Sequence, residues 1–377
     1  MKKHFFVQKA FILFGLFTLI FINSYAANRF AVASGNWNGS IWAATAGGTA
    51  GSAATPTSSD IVTINANKNV TVNVIAAAKS ITINGNLIFT GAQDLTIANA
   101  GSLVISTGAG IDFSSAGIIK GGGNNAGGIL VTIDAGASLT TANVLGFTTG
   151  TGNTALTGSI SIKPGNRGAP NYNNAIDYIF DGTAGQVTGS AVSNATSITI
   201  NNTAGVTATN DLTTSTLTTT AGSILDMGTN ILSVSTANHS GSLVTGNTTA
   251  TPITAGITWG GSVVFNSASV QTIVSGNYND INGSGGNRTL SGTDTVGIAG
   301  VFTPGTGTYT VAGSVVDFNG NGDQIIPTFT FGDLVVSNGG IKKIQASILV
   351  TCLTININDN ASVEINADGG GKLNVIN

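Results

Sequence analysis

Glycoside hydrolysis needs a pair of carboxylates, and polysaccharide lyase chemistry needs a base beside a charge-neutralising cation. This chain of 377 residues holds 16 acids and 13 Lys and Arg. The acids stand singly from Asp60 to Asp368, most at strand starts or turns, where Asp bonds its own backbone. His4 lies near the amino terminus, so a Ser-His-Asp triad would rest on His239, and no G-x-S-x-G elbow accompanies it. The segment 239–258 reads as a loop insertion, which makes His239 an exposed loop histidine. One His and one Cys fall short of the four ligands of a standard zinc site. Cys352 lies in the apolar run Ile348-Leu349-Val350-Thr351-Cys352-Leu353 and reads as a buried small hydrophobe. Asp317-Phe318-Asn319-Gly320-Asn321-Gly322-Asp323 matches the first half of a calcium loop, but its twelfth position is Thr328 rather than Glu, so it reads as a turn. The residues therefore assign no catalytic side chain, no cofactor and no metal. Trp37, Trp42 and Trp259 are the candidate glycan contacts, because an indole offers a flat apolar face to a pyranose; the competing role is capping or core filling. Thr214, Thr216, Thr218 and Thr220 form a row that would suit a glycan- or ice-binding face.

The elements that must position these residues are short strands. Asp60-Ile-Val-Thr-Ile-Asn65, Val70-Thr-Val-Asn-Val74 and Ser80-Ile-Thr-Ile-Asn84 alternate apolar β-branched residues with Thr, Ser or Asn, the period-two signature of a half-buried strand. Only 8% of residues are charged and Glu364 is the one Glu, so the usual fillers of exposed helix surfaces are missing. A net charge of −3 without basic clusters excludes a nucleic-acid stripe. At the amino terminus, Lys2-Lys3-His4, an apolar run from Ala10 to Ile22 and Ser24-Tyr25-Ala26 form a secretory leader over 1–26, cleaved near Ala26. That run is too short to span a membrane, and the mature chain shows no longer one.

A cassette recurs three times: Tyr178-Ile-Phe-Asp181 with Gln186, Val263-Val-Phe-Asn266 with Gln271, and Val316-Asp-Phe-Asn319 with Gln324. Gln271 and Gln324 are 53 residues apart, as are Ile281 and Leu334, so the chain reads as repeats of about fifty residues. The expected fold is all-β, a parallel β-helix or β-solenoid, with tandem antiparallel β-sandwich repeats as the alternative. Asn84-Gly85 and Asp181-Gly182 would suit the hairpin turns of the alternative. Strand-final Asn at 65, 84, 201, 266, 319 and 356 would suit ladders along a solenoid, and the scarcity of charge avoids stacking like charges. Coils of about twenty to twenty-five residues would make roughly fifteen coils and a rod of about 70 Å. The expected organisation is an amino-terminal cap at Trp37/Trp42 and first solenoid section over 27–176, then cassette repeats over 177–377 with copies near 177–236, 262–313 and 314–377.

Gly35-Asn36-Trp37, Trp42, Pro56, the Asp60 strand, Val70-Thr-Val, Ser80-Ile-Thr-Ile and the Phe-Asn…Gln cassette together resemble the large secreted β-strand-repeat proteins exported by bacterial type IX secretion. The resemblance covers nearly the whole mature chain. It implies an adhesin-like β-helical stalk, secreted to the cell surface or extracellular matrix, with surface glycans or matrix polymers as partners. Such proteins usually end in a β-sandwich sorting domain, and nothing after Thr351 resembles one; the chain is then a fragment or leaves the cell by another route. The function expected is non-enzymatic, structural or adhesive. The alternatives are a carbohydrate-active β-helix enzyme and a glycan- or ice-binding module.

Overall fold

Alternation of apolar and polar residues becomes stacking when each strand pairs with the strand one coil away. The computed structural model describes residues 26–376 apart from 115, 122–126, 150–156, 169, 359 and 367; the leader, most of the Gly121–Asn125 loop and Asp359 therefore lie outside the described residues. Among the described residues the chain is all-β without helix, a parallel β-solenoid of about 15 coils. The antiparallel alternative is excluded by the pairing. Every described strand pair is parallel except Phe30–Ala31 against Trp42–Ala43, with one isolated antiparallel bridge between Phe147 and Gly158.

Inward residues pile into columns. Val62, Ile81, Leu103 and Val131 form one, and Ile64, Ile83, Ile105 and Ile133 form its neighbour on the same sheet. All eight are buried, and full burial of each such side chain is worth about 1.5–3 kcal/mol. Most coils carry three strands. In the early coils one sheet starts at Asn28–Ala31, a second at Gly35–Asn36 and a third at Ala76–Ala78. The second sheet continues to Leu232–His239, and another, starting at Gln186–Val187, runs on to Thr354–Ile357. Stacking is unbroken across residue 176, since Ser138–Thr141 pairs in register with Asp177–Phe180. The insertion between those two strands packs Phe147 against Phe113, Tyr172, Tyr178 and Phe180.

The stacking step is shorter than the repeat read from the sequence. Ile61 pairs with Ser80, Asp177 with Ser197 and Val316 with Leu334, which are steps of 19, 20 and 18 residues. Gln271 and Gln324 belong to different sheets, with Arg288 and Lys342 as their respective partners. The fifty-residue recurrence is thus a corner motif written again, and the structural unit is the coil.

The two dipeptides that would have suited hairpin turns are corners, Asp181-Gly182 lying between Asp177–Phe180 and Gln186–Val187 of different sheets. Asn84-Gly85 joins Ser80–Ile83 to Asn86–Phe89, strands of two different sheets. A Cβ on Gly85 would lie 2.3 Å from the Lys68 carbonyl of the coil below, so glycine is needed for close stacking and not for a two-residue turn. At the amino-terminal end, Trp42–Ala43 forms the outermost strand of its sheet. The Trp42 ring meets Trp37 edge-on at 5.1 Å, and its Nε1–H donates to the Trp37 carbonyl at 2.7 Å. An antiparallel strand at this position covers an otherwise free sheet edge. At the opposite end the inward residues Ile355, Val363 and Leu373 are half-buried, and Ile357 is 54% exposed.

Candidate functional site

The three cassettes share one geometry. In each, the Gln side chain is buried, its Oε1 accepts a backbone N–H four residues earlier, and its Nε2 donates to the coil below. Gln186 accepts from Gly182 at 2.8 Å and donates to the carbonyls of Thr141 and Asn143 at 2.9 and 3.1 Å. Gln271 accepts from Ser267 and donates to Thr245. Gln324 accepts from Gly320 and donates to Ile298 and Gly300. Thr141, Thr245 and Ile298 lie directly under Phe180, Phe265 and Phe318. Each of their carbonyls also receives a ladder N–H, from Asp181, Asn266 and Asn319 respectively, so both lone pairs are used.

The coil above closes each clamp with another donor. Asn202 Nδ2 donates to Gln186 Oε1 at 2.8 Å. The buried Arg288 guanidinium reaches the carbonyls of Phe265, Ser267 and Ser284. The buried Lys342 ammonium donates to Gly320 at 2.7 Å, Gly339 at 2.8 Å and Gly322 at 3.3 Å. Backbone carbonyls here supply the compensation that a buried cation requires. Lys342 also settles the calcium-like loop: its ammonium occupies the loop's carbonyls, while Asp317 turns to Ser337 and Asp323 pairs with Lys343 at 2.7 Å. Among the described residues no group of three or more His, Cys, Asp and Glu could hold a metal ion.

Several site residues sit elsewhere than the sequence suggested. Trp37, Trp42 and Trp259 are at most 1% exposed, so none presents a face to a sugar. In a chain built of small residues these rings fill space at a chain reversal and beside a histidine. His239 is a buried strand residue and not a loop residue: it ends Leu232–His239, and the supposed insertion after it contains the strand Ser242–Thr245. Thr219 Oγ1 accepts from the amides of Ser240 and Gly241, so it donates to His239 Nδ1 at 2.6 Å, and Nε2–H donates to the Ser262 carbonyl at 3.0 Å. The ring meets Trp259 edge-on at 5.7 Å, and burial holds its pKa below the ordinary histidine value. Cys352 is buried, as its strand implied. The strand-final Asn residues do not form one ladder: Asn84 and Asn201 accept from Ser106 Oγ and Thr220 Oγ1, Asn65 donates to the Ala46 carbonyl, and Asn319 donates to Asn277. Further Asn-on-Asn pairs occur at residues the sequence did not single out, Asn86 with Asn69 and Asn73 with Asn38.

Two acids separated by 69 residues do come together. Ser114 donates its N–H to Asp112 at 2.8 Å and its hydroxyl to Asp181. Burial, with a smaller contribution from the Asp112 charge, pushes the Asp181 carboxyl above the usual carboxylate range.

The Thr row resolves into an array on the second sheet. Strands Asn194–Ile200, Leu212–Thr219 and Leu232–His239 stack in register, and each carries two outward pairs separated by a bend where consecutive residues face out. Asn194, Thr213 and Ser233 form one column, with Thr196, Ser215 and Ser235 beside it. Past the bend come Ser197, Thr216 and Thr236, then Thr199, Thr218 and Asn238. Thr214 is excluded because it points inward and is 3% exposed, and Thr220 is tied to Asn201. All twelve array side chains are neutral, and only Ser197, which donates to Asp177, makes a side-chain hydrogen bond. Sequence reasoning missed the Ser and Asn members because the columns exist only between coils.

The fold and its corner clamps define a parallel β-solenoid. Comparisons with protein-family models, curated proteins and solved structures find no match.

Proposed function

We propose that this chain is a non-enzymatic extracellular rod of the bacterial cell surface or matrix, structural or adhesive in role. The observation that carries the reading is the use made of polar side chains inside the rod. Gln186, Gln271, Gln324, Asn202, Arg288 and Lys342 are all spent joining one coil to the next. Such inter-coil bonds supply the nearest-neighbour term from which a repeat protein gains its stability. The leader-like amino terminus and the resemblance to type IX secreted repeat proteins support export, and no helix among the described residues is long and apolar enough to cross a membrane.

The test is cell fractionation with amino-terminal sequencing of the native protein. A mature chain starting near Ala27 in the medium or on the cell surface is the expected result; a cytoplasmic chain that retains Met1 overturns the reading. A second reading, a carbohydrate-active enzyme, draws on the Asp112/Asp181 pair. It requires that purified protein depolymerise a polysaccharide and that Asp181→Asn abolish the activity.

A further inference from the structure

We infer that the twelve-residue array on Asn194–Ile200, Leu212–Thr219 and Leu232–His239 binds a neutral, extended polysaccharide lying along the rod axis. The inference rests on the reading of the rod as an extracellular adhesive stalk and gives that stalk its contact surface and ligand class.

An unbroken field of neutral hydrogen-bonding side chains sets this face apart. On the sheet that starts at Asn28–Ala31 the outward columns are interrupted by apolar residues, one running Phe30, Thr63, Thr82, Val104 and Thr132 and the other broken at Ile61 and Leu130. On this face all twelve outward residues are Thr, Ser or Asn, and eleven of them make no side-chain hydrogen bond although neighbours in a column stand only about 4.8 Å apart. The hydroxyls and amides are left with donors and acceptors directed outward. The face is also held rigid from behind: Ile198, Leu217, Ile200 and Thr219 are at most 1% exposed, and Thr219 is fixed by His239. A backbone lattice fixed in this way loses little freedom when a ligand binds.

Charge and shape select the ligand. With no ionised side chain in the array, an acidic polymer finds no counter-charge and a neutral one meets no charged group to desolvate. Columns repeat along the axis at about 4.8 Å, and outward positions within a strand at about 6.6 Å. A chain of equatorially linked sugars advances by nearly the column spacing per residue, so each ring can meet one coil. Three coils span only about 10 Å. Weak bonds repeated along a polymer add through effective concentration, whereas a free monosaccharide makes too few of them. The bend between residues 196 and 197, repeated at 215/216 and 235/236, splits the array into two facets that a chain can follow and a flat crystal plane cannot.

The experiment is retention of the mature chain on microcrystalline cellulose, chitin and insoluble β-1,3-glucan, with a polygalacturonate gel as the acidic comparison. Retention on at least one neutral polymer is expected, not competed by millimolar monosaccharide. It should fall at least tenfold in Thr216→Lys/Thr218→Lys and in Thr213→Lys/Ser215→Lys, which alter the two facets separately. Thr63→Lys/Thr132→Lys, on another sheet, should bind as the parent does, and circular dichroism should show all variants folded. Absence of retention on every neutral polymer, preference for the acidic gel, or retention unchanged in both array variants overturns the inference. Thermal hysteresis lost in the array variants would also overturn it, since the ligand is then ice. Because binding is read on purified protein, its failure leaves the export result standing, and failed export leaves the binding result standing.

Discussion

Changing Gln186 to Glu isolates the donor half of a corner clamp. The carboxylate keeps the two acceptor bonds, from Gly182 and Asn202, and loses the two donor bonds to Thr141 and Asn143. Each lost bond is worth about 1 kcal/mol, and setting a buried charge against two carbonyls brings the total to roughly 3–4 kcal/mol at neutral pH. Gln324→Glu is the internal comparison, because Lys342 pairs with Gln324 in register and supplies a cation that position 186 lacks; its cost should be smaller by about 1 kcal/mol or more. The pH dependence has a definite sign. Once protonated, the carboxyl introduced by Gln186→Glu can again donate to Thr141, so its folded pKa lies above the unfolded value of about 4.3. The stability it contributes is then complete below about pH 4.3 and is lost as pH rises through the folded pKa. Guanidinium unfolding by far-UV circular dichroism, with hydrogen exchange at the amides of Asp181 and Gly182 to localise the effect, should show Gln186→Glu near wild type at about pH 4 and clearly weaker at about pH 7. Equal loss at both pH values, or equal loss at 186 and 324, would refute the clamp as described.

Three further outcomes are expected. The His239 pKa is lowered by burial, so the unfolded state binds the proton more tightly and stability should fall as pH drops below about 6.5; His239→Gln should flatten that slope in the same unfolding assay. Trp259→Ala should cost about 3–5 kcal/mol through cavity formation while leaving glycan retention unchanged at temperatures where it is folded, because the ring is fully buried. Asp181→Asn should remove the part of the pH dependence in which stability declines above the ordinary carboxylate range, seen as a flatter unfolding midpoint between about pH 4 and 7.

The strands and their inward faces were legible because alternation has a period of two and needs no knowledge of the neighbour. Ile81 and Ile83 read as inward from Ser80-Ile-Thr-Ile alone, and both are fully buried. Parallel stacking was legible more weakly, through short strands and scarce charge. The Gln residues were visible as a repeated letter, yet their partners Thr141, Thr245 and Ile298 lie 45, 26 and 26 residues away and are met through backbone carbonyls, which carry no sequence signal. His239 misled because a lone histidine after an irregular stretch looks like a loop; the signal that could have found it is its offset of 20 from the inward Thr219, in register with it.

The amino-acid sequence by itself determined the all-β class, the burial of Cys352 and the lack of a basic stripe, since these follow from composition and local period. Tertiary structure alone decided which residues meet across coils. It buried the three tryptophans, brought Asp112 and Asp181 to one serine, and assembled single Thr, Ser and Asn residues into a twelve-member face. The physical reason is that the coil step varies, from 17 residues between Asn69 and Asn86 to 22 between Ile81 and Leu103 and 28 between Ser102 and Leu130, so the register that aligns side chains along the axis is set by backbone pairing and corner closure, which no local window of the chain contains.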